Sequence, residues 1–276
     1  MTLVYLGVKE SDINTQVYAM ESGTNQYEKA RFRGEGLTLI LYTSGKLVVQ
    51  GSDELLDKFK ENNHALNLQP GKEKKQVLNT KLPEIEKCIG SDETLKGDTF
   101  GGLVVVGAYF EKSEEDTLKQ LGVVDSKQLT DIQIEKIAKI LLEDYKERFV
   151  IYEIEAKEYN ELTKQRSITG ILNEAHNHVG FELKKTYFGA KQVVDQYPGC
   201  QAGDYMIQKA ESFFVAVAAA SIVARYYGIE QFNRLSKEAG FVLPKGSTHV
   251  EEALKLLKEL GKDLSEFAKM HFKNVL

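Results

Sequence analysis

Beyond about residue 84 the sequence alternates between short apolar runs of strand character and longer runs of helical period, which confines this part of the chain to a layered α/β fold. The spacing predicts strands at about 85–92, 103–111, 149–156 and 191–195, and helices at about 114–121, 131–146, 160–179 and 215–235. The helix at 131–146 is the best marked. Thr130-Asp131-Ile132-Gln133 reads as a capping box, and Ile134, Ile137, Ala138, Leu141, Leu142 and Tyr145 then recur on one helical face. The alanine-rich run 216–224 is predicted as a tightly packed core helix, and two more helices are expected at 250–260 and 264–272.

The first part of the chain has a different character. Runs 28–33, 37–42 and 46–51 are β-rich and are separated by Gly34-Glu35-Gly36 and Thr43-Ser44-Gly45, as a meander requires. A helix is predicted over 52–62, with Ser52 as N-cap and Leu55, Leu56 and Phe59 on one face. Pro70-Gly71, the cluster Lys72-Glu73-Lys74-Lys75 and Pro83 then mark a linker. The expected organisation is an N-terminal domain at 1–65, a linker at 66–83 and an α/β domain at 84–276.

Nothing in the sequence approaches a membrane-spanning run of about 18 apolar residues, and Met1 to Lys9 lack the basic region and long apolar core of a secretion signal. The expectation is a cytoplasmic, monomeric protein without a membrane partner. Cys88 and Cys200 are too few for a disulfide framework or a metal knuckle and are read as reduced thiols. The net charge of −5 argues at first against a polyanionic partner. It is unevenly spread: residues 1–83 hold 11 Lys/Arg against 10 Asp/Glu, and residues 84–276 hold 25 against 31. Two divalent cations bound to four of those acids would offset a charge of −4.

Four acids stand out. Asp92 and Glu93 follow an apolar run, Asp195 closes the run Val193-Val194, and Glu211 lies 16 residues further on, ahead of the alanine-rich helix. Adjacent residues of a regular strand face opposite ways, so Asp92 and Glu93 are expected where the strand ends, at the irregular stretch 94–102 with its three glycines. Alone, Asp92-Glu93 is most simply an exposed turn, Asp195 a strand end and Glu211 a favourable charge near a helix N-terminus. Together, with no suitable His or Cys nearby in sequence, they suggest hard divalent cations, which take oxygen ligands. His176 and His178 are two apart and so on different helical faces, which argues against a joint zinc site or a triad. His64, His249 and His271 are read as surface residues, and no nucleotide phosphate loop is present.

The motifs Gly90-Ser91-Asp92-Glu93, Gly97-Asp98-Thr99-Phe100-Gly101 followed by Leu103-Val104-Val105-Val106, Asp125-Ser126-Lys127-Gln128-Leu129, Asp195-Gln196, Lys209-Ala210-Glu211-Ser212 and Leu243-Pro244-Lys245-Gly246 occur in the order seen in ribonuclease HIII, a type 2 ribonuclease H with an extra N-terminal domain. The chain resembles that family over nearly its whole length. The resemblance implies a ribonuclease H-like mixed sheet flanked by helices, with a smaller α+β N-terminal domain resembling TATA-binding protein. It implies hydrolysis of RNA paired to DNA by a two-metal mechanism with Mg²⁺ or Mn²⁺, giving 5′-phosphate and 3′-hydroxyl ends. Asp92, Glu93, Asp195 and Glu211 would be the catalytic, metal-binding carboxylates. Lys96 and Gly97 would contact substrate through the loop that meets the ribose 2′-hydroxyl. Ser126 and Lys127 would also bind substrate, Lys127 near phosphate or supporting the site, unless Asp125-Ser126-Lys127 is a plain turn before the capped helix. Arg31, Arg33 and Lys46 of the N-terminal domain are either solvated surface or phosphate contacts. The family's Gly-x-Gly in that loop is Leu95-Lys96-Gly97 here, so the first glycine is a leucine. Three other readings stay open: ribonuclease HII-like incision at single ribonucleotides, a non-catalytic nucleic-acid-binding protein, and a DNA junction nuclease on the same fold.

Overall fold

A computed structural model describes residues 2–21, 28–63, 69–70 and 82–275. The chain divides into two compact units, Met1–Pro83 and Glu84–Leu276. Most of the expected linker lies outside the described residues.

In the first unit β1 (Thr2–Leu6), β2 (Ala19–Glu21), β3 (Glu28–Gly34), β4 (Leu37–Tyr42), β5 (Leu47–Gln50) and β6 (Gln69–Pro70) form an antiparallel sheet in the order β2-β3-β4-β5-β1-β6. The expected meander is β3-β4-β5. Its first turn places Glu35 at φ 49° and Gly36 at φ 74°, the double left-handed geometry that matches the twist of a tight hairpin. Helix α1 (Asp53–Asn62) follows Ser52, which holds the N-cap position without a side-chain capping bond. Leu56 and Phe59 of α1 join Leu3, Tyr5, Phe32, Leu39, Leu41, Leu47 and Val49 in one core. Strand alternation turns Arg31 and Arg33 to the other face of the sheet. β6, inside the expected linker, pairs with β1 and belongs to the sheet.

The second unit is built on β7 (Lys87–Thr94), β8 (Leu103–Glu111), β9 (Phe149–Ile154), β10 (Lys191–Asp195) and β11 (Tyr205–Ile207), in the order β11-β10-β7-β8-β9. β10 runs parallel to β7 and β11, and β8 runs antiparallel to β7 and β9, so the sheet is mixed. The helices are α2 (Glu115–Gln120), α3 (Asp131–Asp144), α4 (Ala156–Gln165), α5 (Ile168–Thr186), α6 (Val215–Ala239) and α7 (Glu251–Glu259). The capping box of α3 is present: Thr130 N donates to Gln133 Oε1 at 2.9 Å, and Gln133 N donates to Thr130 Oγ1 at 3.4 Å.

Helix α6 lies against one face of the sheet and α5 against the other. A Cβ at Gly90 would stand 2.1 Å from Val217 N, so the alanine-rich start of α6 reaches the backbone of β7. On the opposite face Val179 and Leu183 of α5 cover Gly107.

Three expectations are corrected. The helix at 160–179 is two helices, because Arg166 is extended and the Ser167 hydroxyl accepts from Gly170 N at 3.1 Å, capping α5. The helix at 264–272 is a single 3-10 turn, Leu264–Glu266. Beyond it the backbone is committed to the segment after β7: Phe100 bridges Ala268, Gly101 N donates to Phe267 O at 2.8 Å, and Lys269 N donates to Thr99 O at 2.9 Å. Finally, β7 does not stop at Asp92. Its ladder with β8 continues through Asp92↔Val106, Glu93↔Val105 and Thr94↔Val104.

Candidate active site

The continued ladder decides where the acids point. Even-numbered residues near the end of β7 share the face of Gly90, towards α6, and odd-numbered ones share the face of Ser91, towards α5. Asp92 therefore sits on the α6 side, 7% exposed, where the Ser221 hydroxyl of α6 and the charge of Asp195 both act on it. Val194 pairs with Ser91, which brings Asp195 at the end of β10 beside Asp92. Glu211 enters from the 3-10 turn Ala210–Ser212 just before α6. Asp92, Asp195 and Glu211 thus meet, while Glu93 turns to the other face. There it is bound by Lys96 and lies 3.3 Å from His176 Nε2.

The electrostatics are those of acids crowded away from water. Burial, and next the charge of Glu93, push Asp92 well above the usual carboxylate range, and Asp195 adds to the shift. Burial raises Asp195 to about 6; the Ala210 N–H, donating at 2.9 Å, opposes the shift and the charge of Glu211 adds to it. Glu93 moves the other way: burial alone would raise it, but His176 and Lys96 together hold it below its ordinary value.

Glu211 is 5% exposed; its Oε1 accepts from Lys127 Nζ at 2.6 Å, while Oε2 is buried with no hydrogen-bond partner. Among the described residues no group of three His, Cys, Asp or Glu is set to hold a metal ion. The carboxylates are engaged instead with Lys96, Lys127, the Ala210 N–H and the Glu93 N–H. The donor set nevertheless suits a hard cation: three adjacent carboxylates, two of them with raised affinity for protons, and one orphaned buried oxygen.

The other expected contacts divide. Gly97 is exposed, and a Cβ there would meet nothing within 4 Å, so the protein itself does not require glycine at that position. Lys127 is largely exposed along its stem. Ser126, expected to meet substrate, is 3% exposed and shares its hydroxyl with Ser221 at 2.8 Å, so it braces the turn against α6. In the first unit Arg31 is half-buried against Glu28, at 3.0 Å, Arg33 pairs with Glu21 at 3.2 Å, and the Lys46 ammonium lies 5.8 Å from the Tyr42 ring centre.

The largest omission of the sequence reading is His176. It is fully buried, with Nδ1 2.9 Å from Ser91 Oγ and its ring stacked on Tyr197, and Gln192 Nε2 donates to its carbonyl at 2.7 Å. Its signal was its place in the buried stripe Leu172, Ala175, His176, Val179, since a histidine amid apolar positions needs polar partners from elsewhere in the fold.

Comparison with known proteins identifies the family. The family model for Ribonuclease HII matches residues 89–275, which covers the mixed sheet and all four acids. Similarity to Ribonuclease HIII extends over both units: 31% identity to the protein of Streptococcus agalactiae serotype III, covering 92% of this chain and 89% of that one, and 34% to that of Bacillus cereus strain ZK, covering 86% and 84%. The crystal structure of Bst-RNase HIII in complex with Mn²⁺ superposes with a TM-score of 0.64 at 26% identity, covering 100% of this chain and 97% of that one. RNase HII of Archaeoglobus fulgidus, solved in a complex with PCNA, covers only 67% of this chain, with a TM-score of 0.56 at 26% identity. The class is therefore the type 2 ribonucleases H. Within it, the chain belongs to the ribonuclease HIII family, and it is a ribonuclease H, a hydrolase.

Proposed function

We propose that this chain is an endonuclease that hydrolyses the RNA strand of RNA/DNA hybrids with two divalent cations, Mg²⁺ or Mn²⁺, leaving 5′-phosphate and 3′-hydroxyl ends. The observation that carries this reading is the buried meeting of Asp92, Asp195 and Glu211, with Glu211 Oε2 left without a partner. A cluster of buried carboxylates that the protein compensates only in part is stabilised by bound protons or cations. Divalent cations supply phosphodiester hydrolysis with activation of water and stabilisation of charge on the leaving oxygen. Asp92, Asp195 and Glu211 would hold them, joined by Glu93 from across the strand end. Lys127 offsets the charge of Glu211, and its exposed stem lets the ammonium follow a backbone phosphate. Lys96 and the unshielded backbone of Gly97 present donors to a ribose, the group that distinguishes RNA from DNA. The first unit, near neutral beside an acidic second unit, serves substrate binding, with Arg31, Arg33 and Lys46 as its phosphate contacts.

The test uses purified protein and hybrids labelled on either strand. With Mg²⁺ or Mn²⁺ the RNA strand should be cut internally, an all-DNA duplex should stay intact, and a chelator should stop the reaction. Asp195→Asn keeps the acceptor for the Ala210 N–H but removes the charge, so turnover should fall by roughly 10³-fold or more while the protein stays folded. Cleavage that persists in chelator, or wild-type turnover in D195N, would sink the reading.

A further inference from the structure

The segment that leaves β7 is held from behind. Leu95 has φ 66°, a left-handed conformation that L side chains with a Cβ adopt at a cost. Its side chain is buried in a notch left open by Gly101 and Gly228, where added Cβ atoms would lie 3.1 and 3.4 Å from it. Its carbonyl accepts from Lys269 Nζ at 2.8 Å, and the same ammonium donates to Asp98 O at 2.7 Å. Lys269 is fully buried, with its ammonium 5.3 Å from the ring centre of Tyr159 and 5.6 Å from that of Phe272. Burial holds Lys269 down at about 7, against an opposing pull from Asp98. An apolar chain of similar length would fill this space without that cost. What lysine adds is a pair of donors at the two ends of one turn, and either charge state retains them. The turn is tied further by Gly246 N, which donates to Asp98 Oδ1 at 2.6 Å. Between the two carbonyls lie Lys96, half-buried and paired with Glu93, and Gly97, which is exposed.

We propose that Lys269 is a positioning residue for ribose recognition: by gripping the carbonyls of Leu95 and Asp98 it holds Lys96 and Gly97 in the one geometry that meets the sugar of the RNA strand. Lys269 touches neither substrate nor cation and acts through the turn. The inference rests on the proposed hydrolysis of hybrids.

Three proteins test it: wild type, Lys269→Met, and Lys269→Met combined with Leu95→Gly. Each is measured for kcat and KM on a hybrid, for affinity towards the hybrid and an all-DNA duplex in chelator, and for thermal stability. K269M should lose about tenfold or more in kcat/KM, the scale of a misplaced positioning group, and should bind hybrid and DNA duplex more nearly alike. Glycine takes the left-handed conformation without strain, so the double variant should regain several-fold of the lost kcat/KM although the missing leucine lowers its melting temperature further. A purely architectural lysine predicts the opposite, activity falling with stability. Unchanged kcat/KM and unchanged preference in K269M overturn the proposal, and so does a loss that Leu95→Gly deepens. Failure of the wild type to cleave hybrids instead strikes at the proposed function, and the binding preference in chelator still reports on Lys269.

Discussion

Asp195 shows what a site of this kind costs the fold. Its folded value of about 6 lies above that of an exposed aspartate, so between those two values the folded state binds the proton more tightly than the unfolded chain does. The stabilisation is complete below the unfolded value and is lost as pH rises through about 6. Metal-free D195N, which cannot titrate there, should therefore melt above the wild type at pH 7.5, and the gap should narrow towards pH 4. Saturating Mg²⁺ or Mn²⁺ should raise the melting temperature of the wild type and leave D195N nearly unmoved. Equal melting of the two metal-free proteins at both pH values would show that Asp195 is not strained. The acids were legible in the sequence because Asp92, Glu93 and Asp195 close or follow apolar runs and Glu211 precedes one. The partners that fix them were not, since His176 comes from α5 and Ser221 from α6, and Lys269, which braces the turn beside them, from the C-terminal segment.

Among the elements, β7 and α6 carry the site together. The backbones approach at Gly90, and α6 is alanine-rich where it crosses the strand, so Asp92 from one and the Glu211 turn before the other are registered by a glycine contact. Gly90→Ala would place a methyl group 2.1 Å from Val217 N, a backbone atom that can yield only if the helix moves. The expected result is a loss of about 2–3 kcal/mol by urea denaturation, typical of overpacking. Activity should fall more than the remaining folded fraction explains, because Glu211 moves with the helix. Full activity per folded molecule would mean that the acids are placed by other contacts. Strands 103–111 and 191–195 and the capped helix α3 were readable because burial and period coincide in them. The break between α4 and α5 falls in Lys164-Gln165-Arg166-Ser167, four exposed polar residues with no glycine or proline to mark a helix end. The end of β7 was misjudged because pairing with β8 extends past the first acid. The segment 264–272 has helical composition, yet its backbone groups, the Phe267 carbonyl as acceptor and the Lys269 N–H as donor, serve the turn after β7, a long-range demand that local period does not encode.

At the scale of the whole molecule the proposed function assigns chemistry to the second unit and substrate binding to the first. All four acids lie in Glu84–Leu276, the unit in which the Ribonuclease HII family model matches, and the Archaeoglobus structure covers only 67% of the chain. The charge balance follows the same division, with 11 Lys/Arg against 10 Asp/Glu up to residue 83 and 25 against 31 beyond it. An acidic unit alone would be repelled by a polyanion until cations fill its site, and on the proposed reading the first unit would supply attraction that does not depend on them. A protein lacking residues 1–83 should therefore keep kcat within a few-fold at saturating hybrid, while KM rises about tenfold or more, the mark of lost uniform binding. If Arg31, Arg33 and Lys46 meet phosphates, the truncated protein should also show a shallower fall of affinity with salt, by roughly one unit of slope for each phosphate contact removed. Both quantities are read from steady-state kinetics and from hybrid binding in chelator between low and physiological salt, with a thermal melt to establish that the remaining unit is folded. An unchanged KM and salt slope would assign the first unit a purpose other than holding the hybrid. A collapse of kcat in a folded second unit would mean that binding energy from the first unit is used in the chemical step itself.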